Sequence, residues 1–439
     1  MALLHGGRRP SWSDVLLSFS PAWFTVCMGT GAMQQLLFNF PYPSTQSPQW
    51  MRNLGFCFWV LDVVLFGIFT VVLVARYMSY PKLMYKSISE FPTCSFLGAI
   101  PIAFDTIVEG VISYYGKHDS GKWAAFALFW VAVAMTITVS FGLLLYQMIS
   151  SRRRRIEDVA GLWLMTAAPV VIVAALGSNM STQFSEKVNV TVMLVSFLLW
   201  TCGLMLVHLV MMCYFWRLVA YGLPSEQLLP SSFLPMAPLS QGASGGLQLS
   251  IAFSTYLQSS DFTLTQSTPV QFPAVAVIAV AESVHWAGVL AALALLAYAT
   301  FWLIEASLAM SYKRPRSFSI GMWSLTFPYA SYTSAWALLA KDLRNHGMAG
   351  FAAANTVIAS LVWLFCAGMT IRNTVFTGQL FIFVAAADGE ASLQRRNGVE
   401  SKRDTEQKET HLMDEMNGNA GGSRTPTQSE HGSGFKLDE

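Results

Sequence analysis

Charge is what this sequence has least of. Lys, Arg, Asp and Glu together make up 12% of its 439 residues, against about 25% in an average soluble domain. So little charge cannot cover the surface of the two or three soluble domains that the length alone would suggest. Cysteine is sparse as well. Cys27, Cys57, Cys94, Cys202, Cys213 and Cys366 form no Cys-x-x-Cys pair, so each reads as a small buried hydrophobe and not as part of a zinc or redox centre. The chain has no His-Glu-x-x-His, no phosphate-binding P-loop and no Gly-x-Ser-x-Gly, the clustered signatures that a membrane enzyme would carry. No catalytic residue, metal or cofactor is expected, nor a nucleic-acid partner.

Long apolar runs are abundant. A helix that crosses a bilayer needs about 20 mostly apolar residues, and ten stretches meet or approach that length. They are 15–38, 54–76, 94–115, 123–149, 160–178, 189–216, 233–258, 274–306, 318–340 and 348–371. The stretch 373–387 is too brief for another crossing and is expected at the membrane interface. The polar start, 1–14, precedes an apolar run too long for a signal peptide. The tail 388–439 holds seven basic and eleven acidic residues among Gly and Ser. It cannot bury enough apolar surface to fold and is expected to be disordered.

Basic residues in short loops set orientation. The side shared by both termini carries Arg8, Arg9, Arg76, Lys82, Lys86, Arg152 to Arg155, Arg217, Lys313, Arg314 and Arg316. The opposite side carries only Arg52, Lys117, Lys122, Lys187, Lys341 and Arg344. Cytoplasmic termini follow. Asn179 and Asn189 fit the glycosylation pattern near the outer side.

Proline is confined to alternate runs. Pro21, Pro101, Pro169, Pro235, Pro238 and Pro328 lie in the odd-numbered stretches, and the even-numbered ones have none. Gly29, Gly31, Gly98, Gly242, Gly245 and Gly246 add to the odd set. Proline removes a backbone donor and bends a helix. In lipid the freed carbonyls are tolerated only inside the protein or beside a water-filled cavity. The pattern therefore predicts an all-α membrane protein of ten transmembrane helices, arranged as five helical hairpins around a central pore that the odd helices line. Bent helices turn backbone N–H groups toward such a pore, and Thr30, Ser240, Gln241, Ser244 and Thr326 could add side-chain donors for a small anion. No Lys or Arg stands in the middle of a span to trap it.

The same helices carry short motifs. They are Met28-Gly29-Thr30-Gly31 with Asn39-Phe40-Pro41-Tyr42-Pro43, Ala168-Pro169-Val170-Val171, Tyr214-Phe215-Trp216, Pro238-Leu239-Ser240-Gln241-Gly242, and Trp323 with Thr326-Phe327-Pro328. In this order, over roughly 15–372, they resemble the tellurite-resistance/dicarboxylate transporter family. Within it they resemble the fungal sulfite efflux pumps, with the malic acid transporters as the neighbouring branch. The resemblance implies ten helices in five hairpins, a homotrimer with one pore per protomer, residence in the plasma membrane, and a small anion substrate such as sulfite or an organic acid. It also implies a gating phenylalanine on the ninth helix, which falls on Phe327. Gly29, Thr30, Gly31, Pro101, Pro169, Pro238, Gln241, Gly242 and Pro328 become candidates for lining the pore or bending its helices.

Asp105 and Glu109 depart from the sulfite pumps. Four residues apart, they share one helix face, and ionised carboxylates facing an anion pathway would repel the substrate. Charged groups at membrane depth are costly and usually functional. Four readings remain open: the two are protonated and couple flux to protons, they pair with His208 or His285, they form a structural hydrogen-bonded pair, or the substrate differs.

Overall fold

The computed structural model describes residues 12–42, 47–150, 155–182, 186–258 and 274–376. The tail from Asp388, most of 373–387, Arg152 to Arg154, Pro43 and Arg8 with Arg9 lie outside the described residues. Every regular element among the described residues is a helix. In chain order the α-helices are α1 (Trp12–Ser18), α2 (Phe24–Phe38), α3 (Gln49–Ser79), α4 (Pro81–Ser89), α5 (Thr93–Phe96), α6 (Ala99–Tyr115), α7 (Asp119–Ile149), α8 (Ala168–Ser181), α9 (Glu186–Tyr221), α10 (Met236–Gln258), α11 (Ala274–Lys313), α12 (Thr326–Asp342) and α13 (His346–Ile371). A π-helical turn, Arg372–Phe376, follows the last.

Six stretches among the described residues are long and apolar enough to cross a membrane: Gln49–Ser79, Thr93–Tyr115, Asp119–Ile149, Val190–Tyr221, Val275–Lys313 and His346–Thr374. The long helices α3, α7, α9, α11 and α13 are apolar nearly all round, the pattern of a helix surrounded by protein and lipid. They leave large side chains such as Val64, Ile68, Val71, Leu198, Leu209, Leu290, Leu308 and Leu361 exposed. These five include Cys57, Cys202 and Cys213, which are exposed, whereas Cys27, Cys94 and Cys366 are buried. The expectation of six buried cysteines therefore fails for three, because an apolar run in a membrane protein has an outer face as well as a core.

The shorter helices are the buried ones. Every residue of α2 except Gln35 and Phe38 is buried, and every residue of α8 except Asn179. Their packing closes a cycle: α2 lies against α6, α6 against α8, α8 against α10, α10 against α12, and α12 against α2. Each long helix packs on the short helix before it and on the next short helix in the cycle. Thus α3 touches α2 and α6, α7 touches α6 and α8, and α9 touches α8 and α10. In the same way α11 touches α10 and α12, and α13 touches α12 and α2.

The prolines work differently from the bend expected of them. A 3-10 turn or short helix precedes each inner α-helix: Pro21–Trp23 before α2, α5 before α6, Gly161–Thr166 before α8, Leu229–Phe233 before α10 and Ile320–Leu325 before α12. Pro101, Pro238 and Pro328 are each the third residue of their α-helix, and Pro169 is the second. The first four N–H groups of a helix have no partner within it, so a proline there gives up nothing. The inner segments are broken in two, and the prolines start the second piece. They do not kink a continuous helix.

Glycine allows the pieces to approach. A Cβ on Gly29 would lie 2.2 Å from Thr326 Oγ1, and one on Gly31 would lie 2.4 Å from the Thr106 Cβ and 2.5 Å from Asp62 Oδ2. Gly29 is therefore where α2 meets the start of α12, and Gly31 where it meets α6 and α3. Asp62 is fully buried there and accepts a hydrogen bond from Thr106 Oγ1 at 2.8 Å.

Candidate functional site

Polar side chains from the five inner helices converge. Gln35 and Phe38 of α2, Asp105, Thr106 and Glu109 of α6, Ile172 and Asn179 of α8, Gln241, Ser244 and Gln248 of α10, and Phe327, Ser334 and Lys341 of α12 line one cavity of about 470 Å³. All five helices of the cycle contribute, from Phe327 at the start of α12 to Lys341 near its end. On α10 the lining residues Gln241, Ser244, Gln248 and Ile251 recur at the spacing of one helix face.

Phe327 forms the base. Its side chain is 2% exposed, and it borders both the polar cavity and a separate void of only about 10 Å³ lined by Met28, Ile102, Leu164, Met165, Ala168, Ile172, Leu234 and Ala237. That lining is wholly apolar, and the void is at the lower limit for holding one water molecule. Phe327 and Ile172 thus stand between the cavity and this apolar void. One turn further along α12, Ser331 Oγ accepts a hydrogen bond from Gln241 Nε2 at 3.1 Å, which fixes the Gln241 amide beside the phenylalanine.

The two carboxylates of α6 both face this cavity. Glu109 accepts a hydrogen bond from Asn179 Nδ2 at 2.5 Å across the α6–α8 contact, and Gln35 also bonds to it. Neither oxygen of Asp105 has a hydrogen-bond partner among the described residues. The histidines considered as partners are elsewhere. His285 Nε2 lies 3.2 Å from Asp342 Oδ2, tying α11 to the end of α12, and the His208 ring packs edge-on to Tyr298. Because Asn179 is committed to Glu109 inside the cavity, it is not placed to carry a glycan. The side chain of Asn189 lies outside the described residues.

Of the other candidates, Gln241 lines the cavity, but Gly29, Thr30, Gly31 and Gly242 do not. Thr30 is fully buried; its hydroxyl donates to Val26 O at 2.8 Å and accepts from Trp363 Nε1 at 3.2 Å. Gly242 faces Leu204 of α9 and Leu295 of α11, away from the cavity, and its carbonyl accepts from Trp200 Nε1 at 2.8 Å. Thr326 Oγ1 donates to Trp323 O. Pro101, Pro169, Pro238 and Pro328 begin helices and do not border the cavity. Gln35, Asn179, Gln248, Lys117 and Lys341 were missed. Their signal was polarity recurring at helical spacing on the proline-bearing runs, which breaks and glycines overshadowed.

Residues 18–371 match the family model described as SLAC1, voltage-dependent anion channel. The chain belongs to this family. Membership makes it a multi-pass anion transport protein of the voltage-dependent anion channel family and not an enzyme. Among its relatives, the sulfite efflux pump SSU1 of Arthroderma otae is 26% identical over 379 residues, covering 85% of this chain and 95% of that protein. The sulfite efflux pump SSU1 of Arthroderma benhamiae is 25% identical over the same length and shares. The malic acid transport protein of Schizosaccharomyces pombe is 20% identical over 230 residues, 52% of this chain and 51% of that protein.

Proposed function

We propose that this chain exports small anions, sulfite foremost, across the plasma membrane through a pore within the cycle of α2, α6, α8, α10 and α12, with Phe327 as its gate. One observation carries the reading: a cavity lined by all five of these helices that stops at the buried Phe327, with Ile172 beside it. The position of Phe327 supports the gate, since the ring borders both a space that admits water and a void that is apolar and nearly filled. Two relatives named as sulfite efflux pumps, each matched over 95% of its length, support sulfite as the substrate.

The fuller architecture belongs to the same proposal. It has ten crossings in five hairpins, both termini in the cytoplasm, and three copies to an assembly. The closed cycle of contacts and the alternation of buried and lipid-compatible helices support the hairpins. The excess of loop Lys and Arg supports the orientation, and the family resemblance supports the trimer. In that orientation the cavity opens outward.

The test is sulfite flux against malate flux in liposomes at two pH values. Sulfite flux without malate flux is the expected result. Malate flux would favour the second reading, a C4-dicarboxylate transporter, which the malic acid relative and the two cavity carboxylates support. Flux of neither would overturn both substrates.

Asp105 and Glu109 are proposed to couple flux to protons, because a carboxyl at the pathway admits an anion more readily when neutral. Asp105→Asn should then abolish the pH dependence of flux while surface delivery stays normal. An unchanged pH profile would reduce the pair to a structural role.

A further inference from the structure

A second cavity, of about 510 Å³, lies at the end of α12 and is lined by Pro41, Tyr42, Ala340, Lys341, Arg344, Asn345, His346 and Ala349. Its chemistry differs from that of the vestibule. The vestibule holds two carboxylates with its lysines, whereas Lys341, Arg344 and His346 line this pocket with no carboxylate among its described lining residues. The nearest acid in sequence, Asp342, places Oδ2 3.2 Å from His285 Nε2 and does not line the pocket. None of the side chains of Lys341, Arg344 and His346 has a hydrogen-bond or ion-pair partner among the described residues.

The pocket is also a built one. The Tyr42 hydroxyl donates to His346 O at 3.1 Å, pinning the loop after α2 against the start of α13. Asn345 caps α13 by accepting from Met348 N at 3.0 Å, and its own N–H donates to Ala340 O at 3.0 Å. Arg344 has φ +49°, the left-handed position after a helix that glycine fills with least strain. An arginine stands there instead and lines the pocket. Lys341 lines both cavities, so the pocket and the vestibule share a wall that is itself a cation.

We propose that this pocket is a holding site for a small oxoanion at the outer end of the pathway, with Arg344 as its principal ligand and Lys341 as the link to the vestibule. The inference rests on the reading of the chain as an anion transporter. A guanidinium binds an oxoanion through two parallel N–H donors, and a cationic antechamber raises the local anion concentration where the carboxylates beyond it would otherwise lower it. A phospholipid headgroup presents the same oxoanion chemistry, so the test separates the two sources.

Sulfite uptake into proteoliposomes would be measured against external sulfite concentration. Vesicles of phosphatidylcholine alone would be compared with vesicles that also contain phosphatidylserine. Arg344→Gln should raise the half-saturating concentration about tenfold and lower the saturating flux much less, and Arg344→Lys should recover most of the loss. The difference should shrink at high salt, where the screening length falls from about 10 Å at 0.1 M to about 3 Å at 1 M. Arg344→Cys allows a charge test in the folded protein: an impermeant trimethylammonium methanethiosulfonate should restore affinity and a sulfonate one should worsen it. Wild type, with its exposed Cys57, Cys202 and Cys213, is the control. An unchanged half-saturating concentration in Arg344→Gln, with wild-type flux intact, overturns the site. An effect confined to phosphatidylserine vesicles also overturns it, because the pocket would then serve a headgroup. Absence of flux in wild type would instead count against the transport reading.

Discussion

Phe327→Ala is expected to raise sulfite flux in proteoliposomes at least about tenfold, equivalent to roughly 1.4 kcal/mol off the barrier. The ring is the boundary between the vestibule and the apolar void beyond it. Removing it joins the two spaces and shortens the apolar barrier that an anion must cross. The void is lined by Met28, Leu164, Met165 and Leu234, whose flexible side chains can partly refill the gap, so the tenfold figure is a lower expectation. In a closed core such a truncation destabilises by about 3–5 kcal/mol. Here the ring already borders an open cavity, so the loss should be smaller. Phe327→Leu, which keeps an apolar stopper of lesser girth, should fall between wild type and alanine. Equal flux in all three proteins would place the constriction elsewhere.

Gly98→Ala is expected to prevent recovery of folded protein. The added Cβ would sit 1.7 Å from the Met165 carbonyl oxygen and 2.7 Å from its carbon. Both are backbone atoms, so no rotamer change relieves the clash. Gly98 immediately precedes α6, and Met165 lies in the turn before α8. The contact therefore joins two of the breaks that let the inner helices start where they do. Overpacking usually costs about 1–3 kcal/mol, occasionally more, and a clash between two main chains belongs at or above the top of that range. Gly67→Ala is the matched control. Gly67 lies inside α3 with nothing within 4 Å of its Cβ position, so alanine there should stabilise by about 0.5–1 kcal/mol. The yield of monodisperse protein in detergent, and the thermal unfolding midpoint of whatever is recovered, would compare the pair. Similar midpoints would show that the α6 and α8 breaks can separate at little cost.

The outer helices were legible in sequence almost to their ends. The run at 123–149 became Asp119–Ile149 and that at 348–371 became His346–Ile371, because an unbroken apolar stretch has little choice in lipid. The inner segments were legible as places but not as structures. Proline marked where they break, yet whether a proline kinks a helix or opens one depends on whether the preceding residues form 3-10 turns, and those turns are fixed by tertiary packing. Gly29 and Gly31 drew attention as pore residues because small residues suit both a pore wall and a helix contact. Only the facing side chains, Thr326 and Thr106, decide between them. Asp105 and Glu109 were found because charge at that depth is conspicuous. Asn179 and Lys341 were read as loop-side features because each stands near the end of its helix, where hydropathy cannot distinguish a cavity wall from a membrane boundary.

The cycle of inner helices has a consequence for how the protein is made. α12 closes the ring against α2, across roughly 300 residues of chain, a contact of the long-range kind that forms late. It is also the last inner helix to be synthesised, and it brings Phe327 with it. A nascent chain that has not yet produced α12 has an incomplete barrel with lipid or a neighbouring helix at the gap. With Phe327 as the proposed gate, the ring is closed only when its stopper is already in place, and the cell never holds an assembled but unplugged conduit in its membrane at any stage of translation.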